Sequence, residues 1–302
     1  MNILRAEHLG MCFGVRDAIA LANHLSARQP VTVLGDLVHN ETVLADLASR
    51  SVQIERDLAH VTTTSVMITA HGASEKALAR VRERGHEVTE ATCPLVHLAH
   101  RALRQLVQAG FHPLIIGKRD HVEVRGMTED LCEFDVVLSA EELDRLPERR
   151  RFGVVAQTTQ PIERVRSLVN RLRTRFPRSE VRFTDTVCQP TKQRQTAAEE
   201  LARQCDVVIV IGGAHSNNTR ELVATCARFS PRVHHVQTTA DLRAEWFAQA
   251  KVVGITAGTS TPDAVIDAIE ADLQQFADYR QSDSRQSTKG AIHETSIARQ
   301  LV

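Results

Sequence analysis

One pattern recurs along the chain: a short β-branched apolar run, a polar tip rich in Gly, His, Ser or Thr, then a segment with apolar residues three and four apart. Residues 31–35 lead to Val38-His39-Asn40, 66–69 to Ala70-His71-Gly72, and 113–117 to His121 and Glu123. Residues 152–156 lead to Gln157-Thr158-Thr159, 207–211 to Ser216-Asn217-Asn218, and 252–255 to Thr259-Ser260. Runs apolar on both faces, alternating with helices, predict a parallel sheet covered on both sides. The three-and-four spacing predicts helices over 16–25, 95–108, 163–176, 192–204 and 220–229. Ligands of open α/β sheets gather at the carboxyl ends of the strands, and all six tips lie there. A single tip of this kind is an ordinary solvated turn; six with one chemistry predict a shared site.

The cysteines carry a second repeat. Cys12 follows a strand over 2–6, Cys93 one over 87–91 and Cys188 one over 181–184, and each precedes a helix. Two polar tips lie between consecutive cysteines and two more follow Cys188, so the chain is an internal threefold repeat. The expected architecture is α/β: three similar lobes with small, mainly parallel sheets around a pseudo-threefold axis and a central cavity. The lobes are assigned to 13–95, 96–190 and 191–280, with 1–12 completing either the first or the third. Residues 281–302 are polar with scattered apolar positions and read as a flexible tail.

Composition narrows the chemistry. The 302 residues carry 37 basic and 37 acidic side chains, and this balance argues against a nucleic-acid or anionic-membrane surface. No apolar stretch approaches the length of a membrane span, and residues 1–10 lack the apolar centre of a signal peptide, so the chain reads as cytoplasmic. Six cysteines are too few for a disulfide scaffold of this size. Aromatic residues are 4 %, which weakens any reading built on exposed stacking rings.

Thiolates select soft metals, and structural zinc is usually bound through paired C-x-x-C spacings, of which there are none here. Single cysteines from three distant strand ends suit a larger centre at a lobe junction. With three cysteines instead of four, a 4Fe–4S cluster keeps one iron open. Cys132, Cys205 and Cys226 match no strand-end position and are read as buried small apolar residues. The tips supply hydroxyls, amides, imidazoles and helix-start N–H groups, the donor set of an anion site for which a diphosphate is the natural occupant. Helix capping is the competing role for Ser216, Asn218 and Ser260. Glu123 stands apart as an acid among donors. An extended H-V-E segment puts it on the cavity face with His121, where a neighbouring anion raises its pKa and lets it hold a proton for delivery. The bland alternative is a surface ion pair with Arg125 or Lys118.

These strings together resemble the LytB/IspH family, the 4-hydroxy-3-methylbut-2-enyl diphosphate reductases. The matching segments are G-M-C-F-G-V, V-H-N-E-T-V, A-H-G-A-S, A-T-C-P-L-V, H-V-E-V-R-G, Q-T-T, C-Q-P-T-K-Q-R-Q, S-N-N-T and T-A-G-T-S-T-P-D, in that order from residue 10 to 263. Departures from the family pattern are Lys118 in place of a frequent histidine, Val122 of a frequent proline, Asn217 of a serine and His215 of an asparagine. The resemblance implies that Cys12, Cys93 and Cys188 ligate a 4Fe–4S cluster whose fourth iron is open to substrate. It implies that His39, His71, His121, Ser216, Asn217, Asn218 and Ser260 bind the substrate's diphosphate, Asn217 with the least defined role. Thr158 is implied to orient the hydroxyl and Glu123 to start the proton supply. The implied reaction is reductive dehydroxylation to isopentenyl and dimethylallyl diphosphate, the last step of the methylerythritol phosphate pathway.

Electrons are expected from outside, because no G-x-G-x-x-G opens a helix; the family expectation is a ferredoxin or flavodoxin. The arginines at 149–151 and 171–178 could attract such an acidic partner, although a solvated helix face is the better explanation for them. Two other classes remain open at this stage: a non-catalytic phosphometabolite-binding protein with buried cysteines, and a zinc hydrolase using the same thiolates.

Overall fold

The computed structural model describes residues 1–38 and 40–278. In chain order the strands are β1 (Asn2–Arg5), β2 (Val31–Leu34), β3 (Val52–Glu55), β4 (Ser65–Ile68), β5 (Glu87–Glu90), β6 (His112–Ile116), β7 (Asp135–Val137), β8 (Arg151–Ala156), β9 (Glu180–Phe183), β10 (Val207–Ile211), β11 (Val233–Val236) and β12 (Val252–Ala257). The α-helices are α1 (Phe13–Ser26), α2 (Glu41–Ser49), α3 (Glu75–Glu83), α4 (Pro94–Gln108), α5 (Val122–Thr128), α6 (Ala140–Asp144), α7 (Ile162–Arg175), α8 (Gln189–Ala202), α9 (Asn217–Ala227) and α10 over 263–278.

The strands form three four-stranded sheets ordered β3-β2-β4-β5, β7-β6-β8-β9 and β11-β10-β12-β1, parallel throughout. The order is the same in each sheet once β1 is given the edge that β5 and β9 hold in the other two. Asn2 pairs with Val252 and Arg5 with Ile255, so the amino-terminal strand joins the sheet of the last strand. The expectation of α/β lobes with small parallel sheets holds.

Period-two alternation divides the β6–β8 and β10–β12 sheets each between two cores. On the β6–β8 sheet, Leu114, Ile116 and Val154 face Leu143, Leu168 and Leu172 of α6 and α7. Ile115 and Val155 face Leu103 of α4 and Val124 and Met127 of α5. All five residues of β10 are buried, as expected of a strand covered on both sides. The strands β3, β7 and β11 had no clear apolar run; they are edges of three or four residues, such as Val-His-His-Val, with half-buried positions. The predicted helix over 192–204 starts earlier, at Gln189, because Pro190 suits a first turn. The proposed tail, 281–302, lies outside the described residues.

Candidate active site

Each strand-end cysteine occupies the same place in its sheet. Cys12, Cys93 and Cys188 follow the edge strands β1, β5 and β9 and are the N-cap residues of α1, α4 and α8. None uses its side chain to cap, so the thiols are available for other bonds. Their backbone N–H groups are held alike, Cys12 by the carbonyl of Thr259, Cys93 by Ala70 and Cys188 by Thr158, each at 3.0 Å. The acceptors lie just beyond the neighbouring strands β12, β4 and β8, so a threefold-equivalent hydrogen bond ties each cysteine turn to a polar tip.

The three cysteines form one electrostatic group with Glu123. Cys12 and Glu123 both act on the thiols of Cys93 and Cys188, after burial, which raises both and pushes Cys188 up to about 11. A Cβ on Gly14 would stand 2.6 Å from Cys93 Sγ, so the sulfur rests against the backbone two residues beyond Cys12. Cys188 Sγ lies 3.0 Å from Thr191 Oγ1. All three are free thiols and partly buried.

Three free thiols at equivalent helix starts are the donor type that an iron–sulfur cluster takes. A cluster spreads its thiolates over separate irons, and Gly14 leaves room for sulfur where any larger residue would fill it. Metal binding would also take the thiol protons that burial otherwise retains.

Glu123 is 1 % exposed, and burial lifts its pKa from 4.5 to about 7 against two opposing bonds from Thr158. The Thr158 N–H donates to Oε1 at 2.6 Å and its hydroxyl to Oε2 at 2.9 Å. Two sequence expectations change here. Residues 122–128 are helical, not extended: His121 caps α5, its Nδ1 accepting the Glu123 N–H at 3.2 Å, and Val124 and Met127 hold the helix to the core. The cause of the raised pKa is burial, with no neighbouring anion needed. A surface ion pair for Glu123 is excluded by the same burial.

The other tips meet at a cavity of about 40 Å³ lined by Leu37 and Val38 after β2, His71 after β4, His121 after β6, Thr159 after β8, Ser216 to Asn218 after β10, and Thr259 and Ser260 after β12. All six tips therefore converge. His71 and His121 pack edge to face with centroids 5.5 Å apart. Ser216 caps α9 by accepting the Thr219 N–H at 3.3 Å. Asn218 Oδ1 accepts the Thr259 N–H at 3.0 Å, while its Nδ2 and the Ser260 hydroxyl are buried with no partner among the described residues. Asn217 Nδ2 reaches Thr159 Oγ1 at 3.4 Å. Asn40 caps α2, and His39 lies outside the described residues.

Thr158 is 4 % exposed and committed to Glu123, whereas Thr159 reaches the cavity, a residue the sequence reading named only as part of its tip. Cys205 and Cys226 are buried in the core, as expected, but Cys132 is exposed. It sits on a loop at the rim of a larger cavity, about 1060 Å³, near the amino ends of β6, β8 and β9 and away from the cysteine turns. Arg149, Arg150, Arg151 and Arg178 line that cavity with Asp130, Glu133 and Glu180 among them, so its charges nearly cancel.

A family model described as LytB protein matches residues 3–274, spanning all three cysteine turns and all six tips. The chain belongs to the LytB family. This LytB chain is 37 % identical over 277 residues to the 4-hydroxy-3-methylbut-2-enyl diphosphate reductase of Trichlorobacter lovleyi, covering 91 % of this chain and 98 % of that protein. It is 36 % identical to the same-named protein of Geobacter sulfurreducens, again over 91 % of this chain and 98 % of the relative. Among solved structures, the E-1-hydroxy-2-methyl-but-2-enyl-4-diphosphate reductase of Plasmodium falciparum superposes with a TM-score of 0.82 at 25 % identity, covering 88 % of this chain and 86 % of that one. Among the described residues of this LytB protein, no helix is long and apolar enough to cross a membrane.

Proposed function

We propose that this LytB protein is a cytoplasmic oxidoreductase that removes the hydroxyl of 4-hydroxy-3-methylbut-2-enyl diphosphate, giving isopentenyl and dimethylallyl diphosphate. Two electrons and two protons enter and water leaves. The carrying observation is the equivalent placement of Cys12, Cys93 and Cys188 at three helix starts, grouped electrostatically with the buried acid Glu123.

Cys12, Cys93 and Cys188 would hold a 4Fe–4S cluster, which would supply one-electron redox chemistry and Lewis acidity. The chain's own residues supply position and protons. Asn218 Nδ2 and Ser260 Oγ, buried with no partner among the described residues, are donors suited to an acceptor such as a diphosphate oxygen. His71 and His121, packed edge to face, add imidazole groups to the same lining. Glu123 near neutral pH holds a proton at a carboxyl oxygen, and Thr158 fixes both oxygens while its carbonyl holds the Cys188 turn. The charge of Glu123 is felt by the Cys93 and Cys188 thiols, and in this reading the acid protonates the leaving hydroxyl. Leu37, Val38 and Val15 give the cavity an apolar side that suits a five-carbon chain. The electron donor is external, of ferredoxin or flavodoxin class.

Anaerobic purification followed by iron and acid-labile sulfide analysis tests the reading, together with turnover of the allylic diphosphate under a chemical reductant. Iron and sulfide in near-equal amounts with turnover support it. Zinc without sulfide would turn it toward a hydrolase, and a metal-free protein that binds diphosphates toward a regulatory role.

A further inference from the structure

Helix α8 buries an arginine in its second turn. Arg194 is 8 % exposed; its Nε donates to the Gly10 carbonyl and its Nη1 to the Pro190 carbonyl, both at 3.0 Å. Gly10 precedes Cys12 by two residues and Pro190 follows Cys188 by two, so one guanidinium bridges two of the three cysteine turns. Its partners are neutral carbonyls; no carboxylate pairs with it among the described residues.

Burial works against the charge on Arg194, and the groups that favour it are the thiolates of Cys12 and Cys188. Arg16, the neighbouring like charge, is itself paired with Asp263 at 2.9 Å. A buried cation bonded only to carbonyls lacks a counter-ion. While the cysteines are thiols there is none. When they become metal-bound thiolates there are two. Arginine suits the position because its rigid planar fork can donate to two carbonyls in fixed directions and still present further N–H groups, whereas lysine offers three donors on one point charge.

We infer that Arg194 is the counter-charge of the iron–sulfur centre: it joins the Cys12 and Cys188 turns and stabilises the added electron, raising the centre's reduction potential. The inference rests on the cluster reading above. Cluster potentials follow net charge and solvent exposure. A fixed cation shielded from water acts on that charge with little screening.

The test compares wild type with Arg194→Gln and Arg194→Lys, each purified anaerobically, assayed for iron and sulfide, then titrated redox-potentiometrically with the cluster's electron paramagnetic resonance signal as readout. In loaded Arg194→Gln the reduction equilibrium is expected to fall at least tenfold, about 59 mV for a one-electron couple. Arg194→Lys, which keeps the charge, should lie closer to wild type. An unchanged potential in loaded Arg194→Gln overturns the inference. If Arg194→Gln takes up no iron, loading restored in Arg194→Lys supports the counter-charge role, and failure of both to load overturns it. A wild type without iron and sulfide would instead defeat the cluster reading itself.

Discussion

Thr158 holds both carboxyl oxygens of Glu123, one through its N–H at 2.6 Å and the other through its hydroxyl at 2.9 Å. The same residue's carbonyl accepts the N–H of Cys188 at 3.0 Å. One threonine thus sets the distance between the buried acid and a cysteine turn. Glu123→Gln keeps the shape and removes the proton. It is expected to retain iron and diphosphate affinity while kcat falls about 10²-fold or more, the range of a lost general acid. Single-turnover and steady-state rates beside iron content check this, and near-normal turnover would remove Glu123 from the proton path.

The raised pKa of Glu123 has a stability consequence. Between its ordinary 4.5 and about 7, the folded chain keeps a proton that the unfolded chain has released. Stability therefore falls as pH rises through that window and levels off above it, by about 3 kcal/mol in all. Glu123→Gln lacks this slope, so its stability relative to wild type should improve between pH 4.5 and 8. Denaturant titrations of the metal-free proteins measure the difference; a pH-independent gap would mean that Glu123 does not titrate there.

Thr158→Val removes one of the two bonds that pull the Glu123 pKa down. The acid should then keep its proton to higher pH, moving the alkaline limb of the rate profile upward. A limb that moves downward or stays in place would contradict the hydroxyl's effect on the acid.

Ser260 separates binding from stability. Its hydroxyl is buried with no partner among the described residues, so Ser260→Ala should leave the protein as stable as wild type or slightly more so. The same change removes a donor to an anion, worth roughly 1.5–3 kcal/mol, so diphosphate affinity should fall on the order of tenfold to a hundredfold. Calorimetric titration with inorganic diphosphate and thermal unfolding together read both effects. Unchanged affinity would place the diphosphate elsewhere.

Much of the fold was legible because central strands such as Val207–Ile211 are apolar on both faces and bounded by glycine and polar tips. The cysteine repeat was legible because each cysteine follows a strand and opens a helix. The edges were not: β7 is Asp-Val-Val and β11 is Val-His-His-Val, too short and too polar to stand out from loops. The extended reading of His121-Val122-Glu123-Val124 fails because the His121 cap and the packing of Val124 and Met127 against Leu103 make the segment helical. The partnership of β1 with β12 links residues 250 apart, which local patterning does not encode. Which of two adjacent threonines faces the cavity depends on the turn after β8, and there Thr159, not Thr158, lines the wall. Arg194 gave no local signal, since its partners Gly10 and Pro190 meet only in three dimensions.

Gly14 bears on the cysteine group most directly. It lies in the first turn of α1, where alanine would ordinarily favour the helix by about 1 kcal/mol. A Cβ there would stand 2.6 Å from Cys93 Sγ and 3.1 Å from its Cβ, so one of the two cysteine turns must shift. Gly14→Ala should therefore fold with an unimpaired α1 yet carry much less iron and sulfide than wild type. Cys93→Ser should lose cluster iron outright, and Cys132→Ser, on an exposed loop away from the cysteine turns, should lose none. Circular dichroism and metal content on the same samples decide the matter: full loading of Gly14→Ala would show that Cys93 can move without cost, and full loading of Cys93→Ser would take that sulfur out of the ligand set.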